Sequence, residues 1–182
     1  MGQEPAGTAK GDPPYHARSM TEIHALQPHD WRVIREVRLR SLRESPHAFT
    51  STYAREAAFD ESTWRERATT CHWFVAVGEG DVVGVAGGVD GGSDDPAKRE
   101  LVGMWVAPRH RGRGVARLLL DAVGAWARGE DASVLSLGVR AENEDARAVY
   151  LALGLRSSGD TGAERDHSDR SVEFMELDLG ST

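Results

Sequence analysis

The stretch Val106-Ala107-Pro108-Arg109-His110-Arg111-Gly112-Arg113-Gly114-Val115-Ala116 decides how this chain folds. Ahead of it, residues 100–107 are largely aliphatic and read as a strand stopped by Pro108. Behind it, Val115, Leu118, Leu119, Ala122, Val123 and Trp126 recur at helical spacing. They predict an amphipathic helix over 113–128, ended by Gly129. A strand thus enters a tight glycine turn and a helix starts at once. Gly112 and Gly114 carry no Cβ, so backbone can approach a ligand closely. The orphan N–H groups and macrodipole at the helix start favour an anion there. The guanidinium groups of Arg109, Arg111 and Arg113 add to that field. Together these features make a phosphate cradle; the alternative is a plain glycine-containing turn with surface arginines. It is not a P-loop, because no Gly-Lys-Ser or Gly-Lys-Thr is present. It also fails the dinucleotide fingerprint, since Arg117 stands where a third small residue is required.

Working outward, residues 21–26 alternate apolar and polar and predict a short strand. Asp30 offers an N-cap for a helix to about residue 43, which Ser45-Pro46 stops. A second helix over 60–68 takes Asp60 as its cap. Residues 73–79 and 82–89 are apolar runs joined by Gly80-Asp81, a hairpin signal. A Gly/Asp-rich loop fills 90–96. Downstream, 133–139 predicts a strand and 145–153 a short helix closed by Gly154. Strands over 155–158 and 171–179 finish the chain. The pattern is an α+β fold, an antiparallel meander followed by a β-α-β unit. Residues 1–19 carry Gly2, Pro5, Gly7, Gly11, Pro13 and Pro14 and almost nothing apolar. They read as a disordered leader or extension without the pattern of a secretory signal, ahead of a single domain over 20–182.

The composition bounds what such a domain does. A length of 182 residues suits one domain with a real core. No run of about 18 apolar residues exists, so no membrane span is expected. The single cysteine, Cys71, excludes an internal disulfide framework and a cysteine zinc cluster. It reads as a small buried hydrophobe, and a cytoplasmic setting follows. The net charge of −7 does not suit non-specific nucleic-acid binding, which the short Arg109–Arg113 run would otherwise suggest. Lys10 and Lys98 are the only lysines among 22 basic residues, a codon bias that points to a GC-rich, bacterial genome.

The strand–Arg109-x-x-Gly112-x-Gly114–helix pattern resembles the acetyl-CoA-binding motif Q/R-x-x-G-x-G/A of the GNAT N-acetyltransferase superfamily. After the next strand, Asn143-Glu144-Asp145-Ala146-Arg147-Ala148-Val149-Tyr150-Leu151-Ala152-Leu153-Gly154-Leu155 is similar to that family's N-x-x-A-x-x-x-Y-x-x-x-G-F segment, with Leu155 where Phe is usual. The likeness is weakest before Trp73 and leaves out the leader. It implies a mostly antiparallel twisted sheet flanked by helices, with a cofactor slot between splayed central strands. It further implies acetyl-CoA as cosubstrate, no metal, and an amine acceptor, either a small molecule or a peptide. Homodimers are frequent among such proteins.

The resemblance also assigns residues. Backbone amides from Arg109 through Val115 and Ala116 would hold the pyrophosphate. Backbone near Met104, Trp105 and Val106 would pair with pantetheine, while Trp105 reads equally as a plain core aromatic. Asn143 matches a pantetheine ligand and also a helix N-cap. Tyr150 matches the general acid that protonates the leaving thiolate; its alternative is a core tyrosine. A base is needed because an alkylamine with pKa near 10.4 is free in only about one molecule in a few thousand at pH 7. Glu100 is the first candidate, on the face that strict alternation shares among 100, 102, 104 and 106; its alternative is a solvated strand end. Glu173 is a second candidate base. His110 reads as a solvent-facing member of the basic turn. Arg38 and Ser41 are placed at the acceptor pocket or on the surface. Asp94, Asp95, Asp160, Glu164, Asp166 and Asp169 would make the nearby loops negative and favour a cationic amine; their alternative is a plain solvated loop. A non-catalytic acyl-CoA sensor of the same fold is the alternative function.

Overall fold

The computed structural model describes residues 21–91, 95–164 and 167–180. The leader over 1–19 therefore lies outside the described residues, as do Asp94 and Asp166. Among the described residues, seven strands form one sheet: β1 (Glu22–Ala25), β2 (His72–Gly78), β3 (Asp81–Val89), β4 (Lys98–Val106), β5 (Val134–Arg140), β6 (Arg156–Glu164) and β7 (His167–Asp178). Their spatial order is β1-β2-β3-β4-β5-β7-β6. Every neighbouring pair is antiparallel except β4 and β5, which run parallel. The helices are α1 (Trp31–Glu44), α2 (Tyr53–Ala57), α3 (Glu61–Thr70), α4 (Val115–Gly129) and α5 (Glu144–Ala152).

The sheet separates two apolar cores. Val115, Leu119, Leu120, Val123 and Ala127 of α4 pack on one face against Ala86, Leu101, Leu135 and Met175. Trp31, Ile34 and Val37 of α1 and Trp64 and Ala68 of α3 cover the other face against Trp73, Val85 and Trp105. Cys71 is buried in this second core, as expected. Burial pushes its thiol up to about 12, so it behaves as an inert small hydrophobe. Gly88 lets α4 press onto β3: a Cβ there would lie 2.3 Å from the Trp126 ring.

Several sequence expectations need correction. The buried face of α4 is rotated from the predicted one. Leu118 is 39% exposed, while Leu120 and Ala127 are sealed. Helix α2 has no counterpart in the sequence reading, being only five residues long and capped by Thr52. Strands β6 and β7 extend through residues read as loop, joined in antiparallel register from Arg156↔Glu176 to Glu164↔His167. Gly159 takes φ +83° where the register shifts, which permits the irregularity without ending the strand. Glu164 and Asp169 therefore lie on strands.

Candidate functional site

The parallel pair β4–β5 holds only at Lys98↔Val134, Arg99↔Leu135 and Glu100↔Ser136. Past Glu100 the two strands part. Residues 101–106 of β4 keep β3 on one side and expose a backbone edge on the other, while β5 stays paired to β7. A slot with unpaired N–H and C=O groups opens between them. Such an edge can take an extended amide-bearing ligand in strand fashion. A groove of about 890 Å³ follows this slot, lined by Met104, Val106, Gly112, Gly114, Asn143 and Tyr150 among others.

The cradle closes the wide end. Gly112 and Gly114 have φ of +71° and +87°, a left-handed backbone that favours glycine. Nothing lies within 4 Å of where a Cβ would stand on either. These glycines are therefore not demanded by packing; the backbone shape requires them, and the space beside them is open. Gly114 is the N-cap of α4 and supplies no side-chain cap. A Ser or Asp there would satisfy the orphan amides; glycine leaves them for a ligand. Arg109 and Arg113 are exposed around this turn. The turn thus fits an anionic, phosphate-bearing group.

Arg111 is exposed, lines the groove and also bonds the groove's own wall. Its Nε donates to the Val106 carbonyl at 3.0 Å and its Nη2 to Ser45 Oγ at 2.9 Å. The guanidinium lines the groove and ties down the segment after α1. Trp105 Nε1 donates to the same hydroxyl at 3.3 Å, and from β5 Arg140 Nη1 donates to the His47 carbonyl at 3.3 Å. Residues 45–48 are thereby strapped across the slot from both of its walls. The Trp105 side chain is 3% exposed in the α1 core, so its core alternative holds and only its backbone reaches the slot edge. His110 is not solvent-facing: its side chain is 20% exposed, it lines the groove, and its Nδ1 is buried without a partner.

Strict alternation along β4 fails at a bulge. The register with β3 jumps from Gly87↔Val102 to Val85↔Trp105, and Gly103 adopts φ +63°. Leu101, Met104 and Val106 pack on the α4 side, and Val102 and Trp105 on the α1 side. Glu100, alternating with Leu101, therefore lies on the face opposite Met104 and Val106, contrary to the sequence expectation. It sits half-buried at the last parallel pair, where the slot begins. Tyr150 reaches the groove from the α4 side. Burial alone pushes its phenol up to about 12. Tyr150 thus lines the groove, whereas Glu100 stays outside its lining, at the last parallel pair and on the opposite face of the sheet.

Asn143 caps α5, its Oδ1 accepting from the Ala146 amide at 3.1 Å, and it also lines the groove. Glu173 is engaged by Arg147 at 2.8 Å, and that hydrogen bond holds its carboxyl below the usual range. Arg38 and Ser41 are buried rather than placed on the surface. Arg38 Nη2 lies 2.9 Å from Glu56 Oε1, and Arg67 Nη1 lies 2.8 Å from Glu56 Oε2. Sequence reading missed this cluster because Glu56 sits on the unrecognised α2. Burial pushes the Glu56 carboxyl up, but the Arg38 hydrogen bonds and the Arg38 and Arg67 charges outweigh it and leave it lowered. Among the described residues, no group of three or more His, Cys, Asp or Glu could hold a metal ion.

Slot, bulge and uncapped glycine turn occur together on one sheet. Residues 31–155 match the model of the acetyltransferase (GNAT) family. The chain belongs to that family. The N-alpha-acetyltransferase RimI of Mycobacterium tuberculosis is 35% identical over 88 residues, covering 48% of this chain and 54% of that protein. Human N-acetyltransferase 8 is 33% identical over 94 residues, covering 50% of this chain and 40% of the relative. The matches thus span about half the length, or less, of these curated relatives. Among solved structures, yncA of Salmonella typhimurium with its cofactor acetyl-CoA superposes at TM-score 0.65 and 22% identity, covering 90% of this chain and 96% of the other. A GNAT acetyltransferase from Streptococcus pneumoniae superposes at 0.70 and 17% identity, covering 88% and 100%. At these identities the superpositions establish the GNAT fold. No helix among the described residues is long and apolar enough to cross a membrane.

Proposed function

We propose that this GNAT protein transfers the acetyl group of acetyl-CoA directly to a primary amine within a ternary complex. The observation that carries this reading is the parting of β4 from β5 beside an uncapped glycine turn, with Tyr150 inside the resulting groove. Acetyl-CoA supplies the activated acyl group. The amides of residues 112–116 would take its pyrophosphate, with Arg109 and Arg113 adding charge from the rim. The open β4 edge over 101–106 would pair with its pantetheine amides. An amide at the Gly103 bulge is freed from the β3 ladder and is available to an oxygen that gains negative charge.

Tyr150 acts as the hydrogen-bond donor toward the departing sulfur. A phenol at about 12 keeps its proton throughout the working range. An alkyl thiolate is the weaker base, since its thiol titrates below a phenol raised that far. Complete transfer from Tyr150 is therefore uphill, so the phenol works by hydrogen bonding to the developing thiolate. Glu100, at the narrow end and on the other face, receives the proton from the incoming ammonium. Asp95 and Asp160, both exposed, support a cationic acceptor.

The test is initial-rate release of CoA thiol from acetyl-CoA across alkylamines, amino acids, aminoglycosides, and peptides with free N-termini or lysines. Turnover with one class establishes the reaction. Binding of acetyl-CoA without turnover by any class would instead identify an acyl-CoA sensor.

A further inference from the structure

A second concavity lies away from the slot, along the outer face of α1. It encloses about 750 Å³. Trp31, Leu39 and Trp64 make its apolar floor, and Arg32, Arg35, Arg40 and Arg43 line it. These arginines fall at i, i+3, i+8 and i+11, one stripe of a single helix. A chain with a net charge of −7 has gathered four cations on one groove.

These cations are not consumed by one another's neighbours. The Arg35 side chain makes no hydrogen bond or ion pair among the described residues. Arg32 is laid over the Trp31 ring at 4.3 Å, and Arg43 over Tyr53 at 4.7 Å with its Nη2 on the Tyr53 hydroxyl at 2.9 Å. Ring faces thus hold two guanidinium groups in place without neutralising them. Among the described residues, Arg40 alone of the four has a carboxylate partner, Asp81 at 3.0 Å.

We infer that this groove is a docking site for an acidic, extended polypeptide segment that also carries apolar side chains. From Trp31 to Arg43 the helix runs about 18 Å, the span of roughly five extended residues. Carboxylates on alternate residues meet the arginine forks, which match carboxylate geometry. The intervening apolar side chains meet Trp31, Leu39 and Trp64. Glu36 and Glu61 also line the groove. Glu36 and the outer oxygen of Glu61, whose other oxygen is held by Arg65, accept peptide N–H groups, whereas a phosphodiester has no donor to offer them, and the net charge repels a long polyanion. The occupant is therefore a peptide.

The experiment titrates the full-length protein into a fluorescein-labelled peptide of alternating glutamate and leucine. Anisotropy should saturate, and affinity should fall steeply with added salt. Arg35→Glu should weaken binding by about tenfold or more, the scale of one charge-assisted hydrogen bond. Arg32→Glu should act alike, and acetyl-CoA affinity should stay unchanged in both. Arg35→Gln reads the same loss if the charge reversal fails to fold. The inference is overturned if the acidic peptide does not saturate, or if it binds equally to the Arg35 variants. It is also overturned if a labelled oligoribonucleotide binds more tightly than the peptide, or if sedimentation shows Arg35-dependent self-association.

Discussion

Gly114→Ala separates what the cradle does for the fold from what it does for the ligand. Gly114 has φ +87° and caps α4, and no atom lies within 4 Å of its missing Cβ. The added methyl meets no protein atom, so only left-handed backbone strain opposes it, about 1–2 kcal/mol. For a domain of this size that lowers Tm by roughly 2–8 °C. The same methyl projects into the space where a phosphate must approach the amides. Losing one charge-assisted hydrogen bond costs about 1.5–3 kcal/mol, or roughly 10- to 150-fold in Kd. Isothermal titration should therefore show acetyl-CoA binding weakened by at least tenfold in a protein that still melts cooperatively. Acetyl-pantetheine, which lacks the pyrophosphate, should bind the variant and the parent equally. Unchanged acetyl-CoA affinity in a folded Gly114→Ala protein would refute the cradle, as would an equal loss for acetyl-pantetheine.

Other substitutions probe the remaining parts. Tyr150→Phe should lower kcat by roughly a hundredfold with acetyl-CoA affinity kept. Because the phenol sits at about 12, the parent rate should not fall on the alkaline side below about pH 11. Glu100→Gln should move the rising limb of the pH–rate profile upward, toward the pKa of the free amine; an unshifted profile removes its role as base. Glu56→Gln leaves the Arg38 charge buried without its counter-ion and should cost about 3–5 kcal/mol at neutral pH by urea unfolding. Since the folded Glu56 carboxyl lies below its unfolded value of 4.5, the stability it contributes is present above that pH. It is lost as pH falls through the folded value. The gap between parent and variant should therefore narrow below about pH 4.5.

The turn, the helix behind it and the strand before it were legible because each depends on local pattern. Glycines, proline and helical periodicity specify them within a few residues. The bulge at Gly103 was not legible, and it is what moved Glu100 to the face opposite Met104. A bulge changes parity by one residue while leaving the apolar composition of the strand intact, so alternation alone cannot reveal it. Leu118 shows the same weakness on α4. It fits the apolar stripe by spacing, but the core meets Leu120 and Ala127 instead. The Arg38–Glu56–Arg67 cluster joins three helices across 29 residues, and nothing in the local sequence announces such a contact. The bonds from Arg111 to Val106 and Ser45 depend on tertiary proximity, which its place in a basic run does not announce.

Amide hydrogen exchange with and without acetyl-CoA tests the central claim most directly. Two segments should become protected together on binding, residues 112–116 at the start of α4 and residues 102–106 along the open edge of β4. Protection confined to the arginine groove on α1, or no protection at either segment under saturating acetyl-CoA, would contradict the account.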